Sequence, residues 1–501
     1  MTGIKSVFQK FLSSSRRRAT LSQSLLSNFA QIIDAAYGFV VIPLSITYVG
    51  LDTYGWWLIS FGIIQVFMLM DGGLSSAFQS RLTHAFSIDD SYSVNKTLSI
   101  NVFFSVCVAV ILAVIATAYS YFTVYIFGAE FSSVPGIQFG LILSAIAGSL
   151  AIVNANLGVI GTASLKPRII FIPSIFARII GLLFTVFLFF LECGIISIPI
   201  GALVTEAISL GNCIYQLKII KFKFIKPDTK ALSEWGSILR ITFIARFSGG
   251  LYTGLEPTLV GYFASPAASA VYVTCKKPAT LLAKIFFSLW ASLVSPLISY
   301  SATDGFKSVS IYLSYIYALF LRLIVTGFFF YIILNDHFLR VWVGPLMFAD
   351  KYLYMLIAAL LITGFIFDVI NESFLIVNLP KTVAANFIAA SASRLMLSIA
   401  AAFYFGLYGL LFGVILANLI TSYFIWVNLC KKLEGHLSLT SLFFNLGNFL
   451  VYIAVIAFYV SLEIFSNILV RNNYVFIIFV ISLFLIIILL EYKSISSRWI
   501  Q

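Results

Sequence analysis

Apolar residues run in blocks of about twenty, separated by short polar stretches, along nearly the whole chain. A helix rises about 1.5 Å per residue, so a block of that length crosses a bilayer core of roughly 30 Å. A transmembrane barrel would instead need strands of about ten residues with alternating polarity, and no such alternation runs through these blocks. The pattern predicts fourteen helical spans: 24–48, 55–78, 98–119, 136–160, 169–191, 197–217, 239–263, 268–299, 309–334, 353–377, 383–404, 408–429, 443–465 and 474–490.

The longest polar interruption, "LKIIKFKFIKPDTK" at 218–231, divides the first twelve spans into six and six. Many transporters are built from two such halves related by an axis along the membrane normal. Weak internal similarity fits this division, since "PLSITY" (43–48) and "PTLVGY" (257–262) each place a proline five residues before a tyrosine. The expected organisation is an N-lobe over 1–217, a basic cytoplasmic linker over 218–238 and a C-lobe over 239–430. A C-terminal helix pair with a tail follows over 431–501. The fold class is therefore an all-α polytopic membrane protein.

Composition agrees: 61% of the 501 residues are hydrophobic and 10% are charged, against roughly 25% charged in soluble domains. A net charge of +12 raises the question of nucleic acid, but the distribution of the charge argues against it. With the N-terminus inside, 21 of the 31 basic residues fall in inner loops and termini and three (Arg340, Lys351, Arg471) in outer ones. That bias is the positive-inside signature and sets both ends in the cytoplasm. The basic opening "MTGIKSVFQKFLSSSRRRAT" shows no small-residue cleavage pattern and is expected to be an uncleaved anchor. Cys107, Cys193, Cys213, Cys275 and Cys430 are scattered, and His84, His337 and His436 lie far apart in predicted loops. Neither a metal site nor a disulfide framework is indicated, and no cofactor is expected. No phosphate-binding Gly-x-x-x-x-Gly-Lys-Ser/Thr loop is present, so a pump of this kind would be driven by a gradient, and it is not expected to be an enzyme.

The informative residues are the charges inside the spans. Arg178, Arg246, Lys276, Lys277, Lys284, Arg322 and Arg394 are basic. Each costs about 2.5–3.5 kcal/mol at the centre of an isolated helix, so each should face a cavity or a partner. Lys284, Arg322 and Arg394 sit deepest. Lys277 lies two turns before Lys284 on nearly the same face, and Lys276 is near enough to the surface to snorkel. Arg246 and Arg178 lie about seven and nine residues into their spans. Either these cations line a water-filled cavity, or they form internal ion pairs that hold helices together. The acidic counterparts are Asp34, Asp71, Glu206, Glu256, Asp368 and Glu372. Burial can make a carboxyl exchange protons near neutrality. Asp34 and Glu256, in the first helix of each half, are the leading ion-coupling candidates. Asp368 and Glu372, four apart on one helical face, can bind a cation or neutralise Arg394 or Arg322. Asp71 is expected at a helix end. The intramembrane amides Gln65, Asn154, Asn156, Asn212, Asn386 and Asn418 can bond sugar hydroxyls or, more simply, neighbouring helices.

Four stretches resemble a known family. "YVGLDTYGWWLIS" (48–60) runs into "LMDGGLSSAFQSRLT" (69–83), "FLRVWVGP" spans 338–345, and "VYVTCKKPATLL" spans 271–282. Together they resemble the Wzx-type polysaccharide flippases of the MOP exporter superfamily, although Cys275 and Lys277-Pro278 depart from the family pattern. The resemblance implies a MATE-like fold with two six-helix lobes around a cationic cavity. It also implies flipping of undecaprenyl-pyrophosphate-linked oligosaccharide, such as an O-antigen repeat unit, across the bacterial inner membrane by alternating access. The glycan lipid, membrane lipid and polymerase or chain-length machinery would be the partners. Substrate phosphate would then be held by Lys284, Arg322, Arg394, Arg246, Lys277 and Arg178, since Arg offers a planar fork and Lys a point charge. Fourteen spans also suit a lipid-II flippase. A drug exporter that moves organic cations would be expected to carry acidic rather than basic residues at this depth.

Overall fold

The computed structural model describes residues 15–69, 73–87, 90–164, 166, 168–344 and 349–433. It is all-helical there, with twelve α-helices and a 3-10 turn at Gly194–Ile196. The predicted spans 443–465 and 474–490 lie outside the described residues, as do Asp71 and His436. Nine helical stretches among the described residues are long and apolar enough to cross a membrane. The chain falls into two compact units, Met1–Ala270 and Val271–Gln501.

The first unit holds α1 (Ser15–Val49), α2 (Leu51–Met68), α3 (Leu74–Ser87), α4 (Ser91–Ser132), α5 (Ile137–Leu157), α6 (Val159–Ala163), α7 (Arg168–Phe190), α8 (Ser197–Ile219) and α9 (Thr229–Phe263). The predicted span 55–78 is in fact interrupted: α2 ends at Met68, and α3 begins after Gly73, whose φ of 77° suits glycine alone. His84 was expected in a loop and lies in α3 instead. The predicted 98–119 is the middle of α4, which starts where Asp90 caps it by accepting from the Tyr92 and Ser93 amides. Those bonds, together with the Ser93 hydroxyl, hold the Asp90 carboxyl below its usual range. At Gly128 (φ 80°, ψ −164°) the helical path of α4 breaks.

Helices in this unit approach one another through small residues. A Cβ on Gly201 would collide with Thr185, and one on Gly181 with Thr205, so α7 and α8 meet almost backbone to backbone. In the same way α2 meets α9 at Gly62 and Gly254, where the Thr258 hydroxyl donates to Ile59 O at 2.6 Å. In hydrocarbon no solvent drives helices together, so close van der Waals contact of this kind supplies the adhesion. The expected lobe boundary, the 218–238 linker, falls inside this unit. The linker is strapped to the start of α4: the Lys223 amide donates to the Asn95 side chain at 2.9 Å, the Ile225 amide to Ser99 Oγ at 2.8 Å, and Lys96 pairs with Asp228 at 3.3 Å. Near its end, Trp235 is buried against Phe78 with ring centroids 4.1 Å apart.

The second unit is built from α10 (Pro266–Trp342, whose first residues belong to the first unit), α11 (Lys351–Ile376) and α12 (Pro380–Lys432). Two predicted spans, 268–299 and 309–334, lie in the single helix α10, and His337, expected in a loop, is also helical. A straight helix would part Cys275 and Tyr331 by about 84 Å. Yet the Tyr331 hydroxyl donates to Cys275 O at 2.9 Å. The helix therefore doubles back, and its two arms are the two spans. Likewise 383–404 and 408–429 both fall in α12, which reverses at Gly406 (φ 58°, ψ −136°). Ring contacts fill the core, including Trp290–Tyr317, Phe320–Phe365 and Tyr331–Tyr354.

Candidate functional site

In the first unit, a cavity of about 530 Å³ opens between α3, α5, α7 and α8. Its lining is polar for a chain of this composition and includes Gln79, Asn154, Arg178, Thr205, Glu206 and Asn212. Arg178 reaches out of α7 to Asp34 on α1, with Nη1 to Oδ2 at 3.1 Å, and donates to Ala30 O at 3.2 Å. Glu206 on α8 accepts from the Asn154 amide at 2.7 Å, and the same amide nitrogen donates to the Glu206 carbonyl at 2.8 Å. Arg178 and Asp34 both act on Glu206 electrostatically. Arg178 thus connects the cavity lining to Asp34 on α1. On α1, Tyr37 lies 3.3 Å from Thr185 Oγ1 and ties that helix to α7. Asp34 and Arg178 appeared separately in the sequence, as a coupling carboxylate and a headgroup cation; the fold makes them partners.

A second network occupies the second unit. Arg394 is 9% exposed, donates from Nε to Asn418 Oδ1 at 2.7 Å and stacks over Phe367 at 4.6 Å. Asn418 passes the chain on to Thr363 at 3.2 Å. Asp368 sits in the electrostatic field of both Arg394 and Glu372. Glu372 accepts from Trp290 Nε1 at 3.0 Å, and the neighbouring Ser373 bonds the Tyr317 hydroxyl. Next to this network an apolar crevice of about 240 Å³ is lined by Tyr317, Phe320, Ile324, Phe365, Ile370 and Trp426. No charged side chain is among its lining residues.

The remaining predicted residues are dispersed. Arg246 in α9 and Lys284 in α10 are exposed, and neither has an ion-pair partner among the described residues. Arg322 and Lys277 are half-buried. Lys276 folds back over the Tyr272 ring, 5.4 Å from its centroid. Glu256 is 4% exposed, in the turn before Pro257. Among the described residues no group of three or more His, Cys, Asp or Glu side chains could hold a metal ion.

No protein-family model matches the chain, and no curated protein does. Solved structures match over most of its length. An inward-facing multidrug resistance MATE family transporter of the MOP superfamily aligns with TM-score 0.64 and 11% identity, covering 81% of this chain and 95% of that one. The lipid II flippase MurJ in an inward closed conformation aligns with TM-score 0.62 and 17% identity, covering 90% of this chain and all of MurJ. A MOP superfamily transporter from Pyrococcus furiosus, described by the reverse polarity of its binding pocket, gives 0.61 and 12%, covering 85% and 98%.

The chain has the MATE-like fold.

Within that fold the chain is a multi-pass membrane protein, and the sequence expectation of an all-α MATE-like architecture holds. The association of Asp368 and Glu372 with Arg394 was one of the alternatives open in the sequence, whereas the Asp34–Arg178 pair was not legible there. Asn154 and Asn418 stood out in the sequence only as intramembrane amides. The structure makes each the direct partner of a charged group: Glu206 for Asn154 and Arg394 for Asn418.

Proposed function

We propose that this protein flips a lipid-linked oligosaccharide with a phosphate-bearing headgroup across the bacterial inner membrane, both termini being cytoplasmic. The observation that carries this reading is the set of seven basic side chains within the predicted spans, of which Lys284 and Arg246 are exposed, on a fold shared with a lipid II flippase along that protein's whole length. Lys284, Arg246, Arg322 and Lys277 supply the cations that meet the phosphate oxygens. Arg178 and Arg394 belong to the polar networks of their units and set the field there. Asp34, Glu256, Asp368 and Glu372 are the carboxylates through which an ion gradient would act. Access alternates as the headgroup passes, and the polyprenyl tail stays in lipid.

An undecaprenyl-pyrophosphate-linked repeat unit such as O-antigen is the proposed substrate, handed on to polymerase and chain-length machinery. A second reading, lipid-II flipping, is favoured specifically by the MurJ likeness. Complementation separates the two. Rescue of surface polysaccharide in a strain lacking its repeat-unit flippase supports the first reading. Rescue only of a strain depleted of its lipid-II flippase overturns it in favour of the second.

A further inference from the structure

Between α8 and α9 the chain runs as a non-helical strap whose path is fixed from end to end. At its start the Lys221 amide donates to Lys218 O at 3.0 Å and the Phe222 amide to Leu217 O at 2.9 Å. This pair of bonds is a Schellman turn, with Lys221 in the left-handed position (φ 53°) that glycine usually fills. Leu217 and Phe222 close the turn by packing on the buried cluster that holds Phe78 and Trp235. Further on, the Lys223 and Ile225 amides bond Asn95 and Ser99 of α4, and Lys96 takes up Asp228.

Outward, this scaffold presents cations and apolar groups together. Lys218, Lys221, Lys223 and Lys226 are exposed, and none has an ion-pair partner among the described residues. Asp228, the one acid between 218 and 228, is already paired. Phe224 stands among the lysines and is 59% exposed, whereas Phe222 packs inward. At the end of α8, Tyr215, Lys218 and Ile219 are exposed on one helical face, spaced i, i+3 and i+4. The strap lies at the membrane surface, because it begins where the apolar spanning stretch Gly194–Ile219 ends and rests on the first turns of another, Ser91–Ser132. The headgroup layer suits both kinds of group, with aromatic bodies at the interface and cations among the phosphates.

From this juxtaposition we infer that the strap is a docking site for anionic phospholipid headgroups. Phe224 seats in the interface, and the four lysines meet the phosphates around it. The exposed Phe224, Ile219 and Tyr215 favour a lipid over an acidic soluble partner. Four cations spread along a strap, rather than converging in a pocket, favour a surface of many phosphates over one free anion. In the proposed orientation the leaflet is the cytoplasmic one, where anionic lipids attract basic segments next to spans. The inference goes beyond transport and holds whatever headgroup is flipped.

The test places a tryptophan on the strap (Phe224→Trp) of the full-length protein, reconstituted in phosphatidylcholine vesicles with a small fraction of brominated lipid. The emission it adds over the parent reports the lipid in contact. Brominated phosphatidylglycerol should quench that emission well below the level reached with the same fraction of brominated phosphatidylcholine. Each lysine beside an anionic surface strengthens attachment about fivefold, so adding Lys221→Gly, Lys223→Gln and Lys226→Gln should weaken the preference more than about tenfold. Glycine suits the left-handed turn, so Lys221→Gly removes charge without loosening the strap. Raising the salt should erase the preference with all lysines in place, which reads the same claim without those replacements. Equal quenching by the two lipids would overturn the proposal, as would quenching by neither. So would a preference that survives either the lysine replacements or high salt, or one abolished by inorganic phosphate at constant ionic strength, which would mark a free-anion site instead.

Discussion

Replacing Arg394 by leucine tests whether the second network is structural. The guanidinium is buried, bonded to Asn418 and stacked on Phe367. Its loss removes a hydrogen bond made by a charged group, worth about 1.5–3 kcal/mol, and leaves the Asn418 amide oxygen without that donor. The lost ring contact adds to this, but the two losses overlap and are not simply additive. A net loss of about 3 kcal/mol corresponds, on the scale of domains of 150–250 residues, to a fall in melting temperature of about 6–12 °C. Replacing both bonded partners, Arg394→Leu with Asn418→Leu, should recover part of that fall, since apolar substitutes for both partners of a buried hydrogen bond can be nearly neutral. The assay is thermal loss of the monodisperse peak of detergent-purified protein. An Arg394→Leu variant that melts like the parent would refute the reasoning, as would a double variant no better than the single one.

Other perturbations read the rest of the account. Gly201→Leu would drive a side chain into Thr185 and the Gly181 carbonyl; it should part α7 from α8 and abolish the monodisperse folded species, whereas normal yield and melting would contradict the close-contact packing. Trp235→Ala removes the ring stacked on Phe78 and under Arg81 at 4.5 Å; a cost of about 3–5 kcal/mol is expected, read as faster hydrogen exchange in α3. Because the Asp90 carboxyl is held below its usual range, its cap contribution is fully present above the unfolded carboxylate pKa. That contribution fades as pH falls through the depressed value. Amide protection at 91–95 should therefore be lower in Asp90→Asn than in the parent at neutral pH, and the gap should close in acid.

Hydrophobic blocks located most of the helices because in a membrane the backbone must satisfy itself within each segment. That reasoning is local, and it succeeded where the local rule decides, as at 169–191 and 353–377. It misjudged connections. The 299–309 gap stays helical because polar residues do not end a helix by themselves, and the break inside 55–78 needed Gly73 to be read as a conformational requirement. Partnerships were less legible still. Asp34 and Arg178 are 144 residues apart, and Arg394 and Lys284 looked alike by depth along their spans. Yet Arg394 is enclosed and bonded while Lys284 is exposed, a difference set by which helix packs alongside. Cation type and depth located candidate charges; only tertiary packing sorted counter-ions from accessible ones.

The central claim is translocation of an anionic glycolipid headgroup by way of accessible cations. Its most direct test reconstitutes the protein in vesicles that hold a pyrophosphate-linked polyprenyl oligosaccharide in both leaflets, with lectin capture from outside as the readout. The account predicts that vesicles with the parent protein expose all of the glycan, while Lys284→Ala with Arg322→Ala exposes only the outer-leaflet fraction. Full exposure by the double variant would contradict the account, as would outer-leaflet exposure alone with the parent.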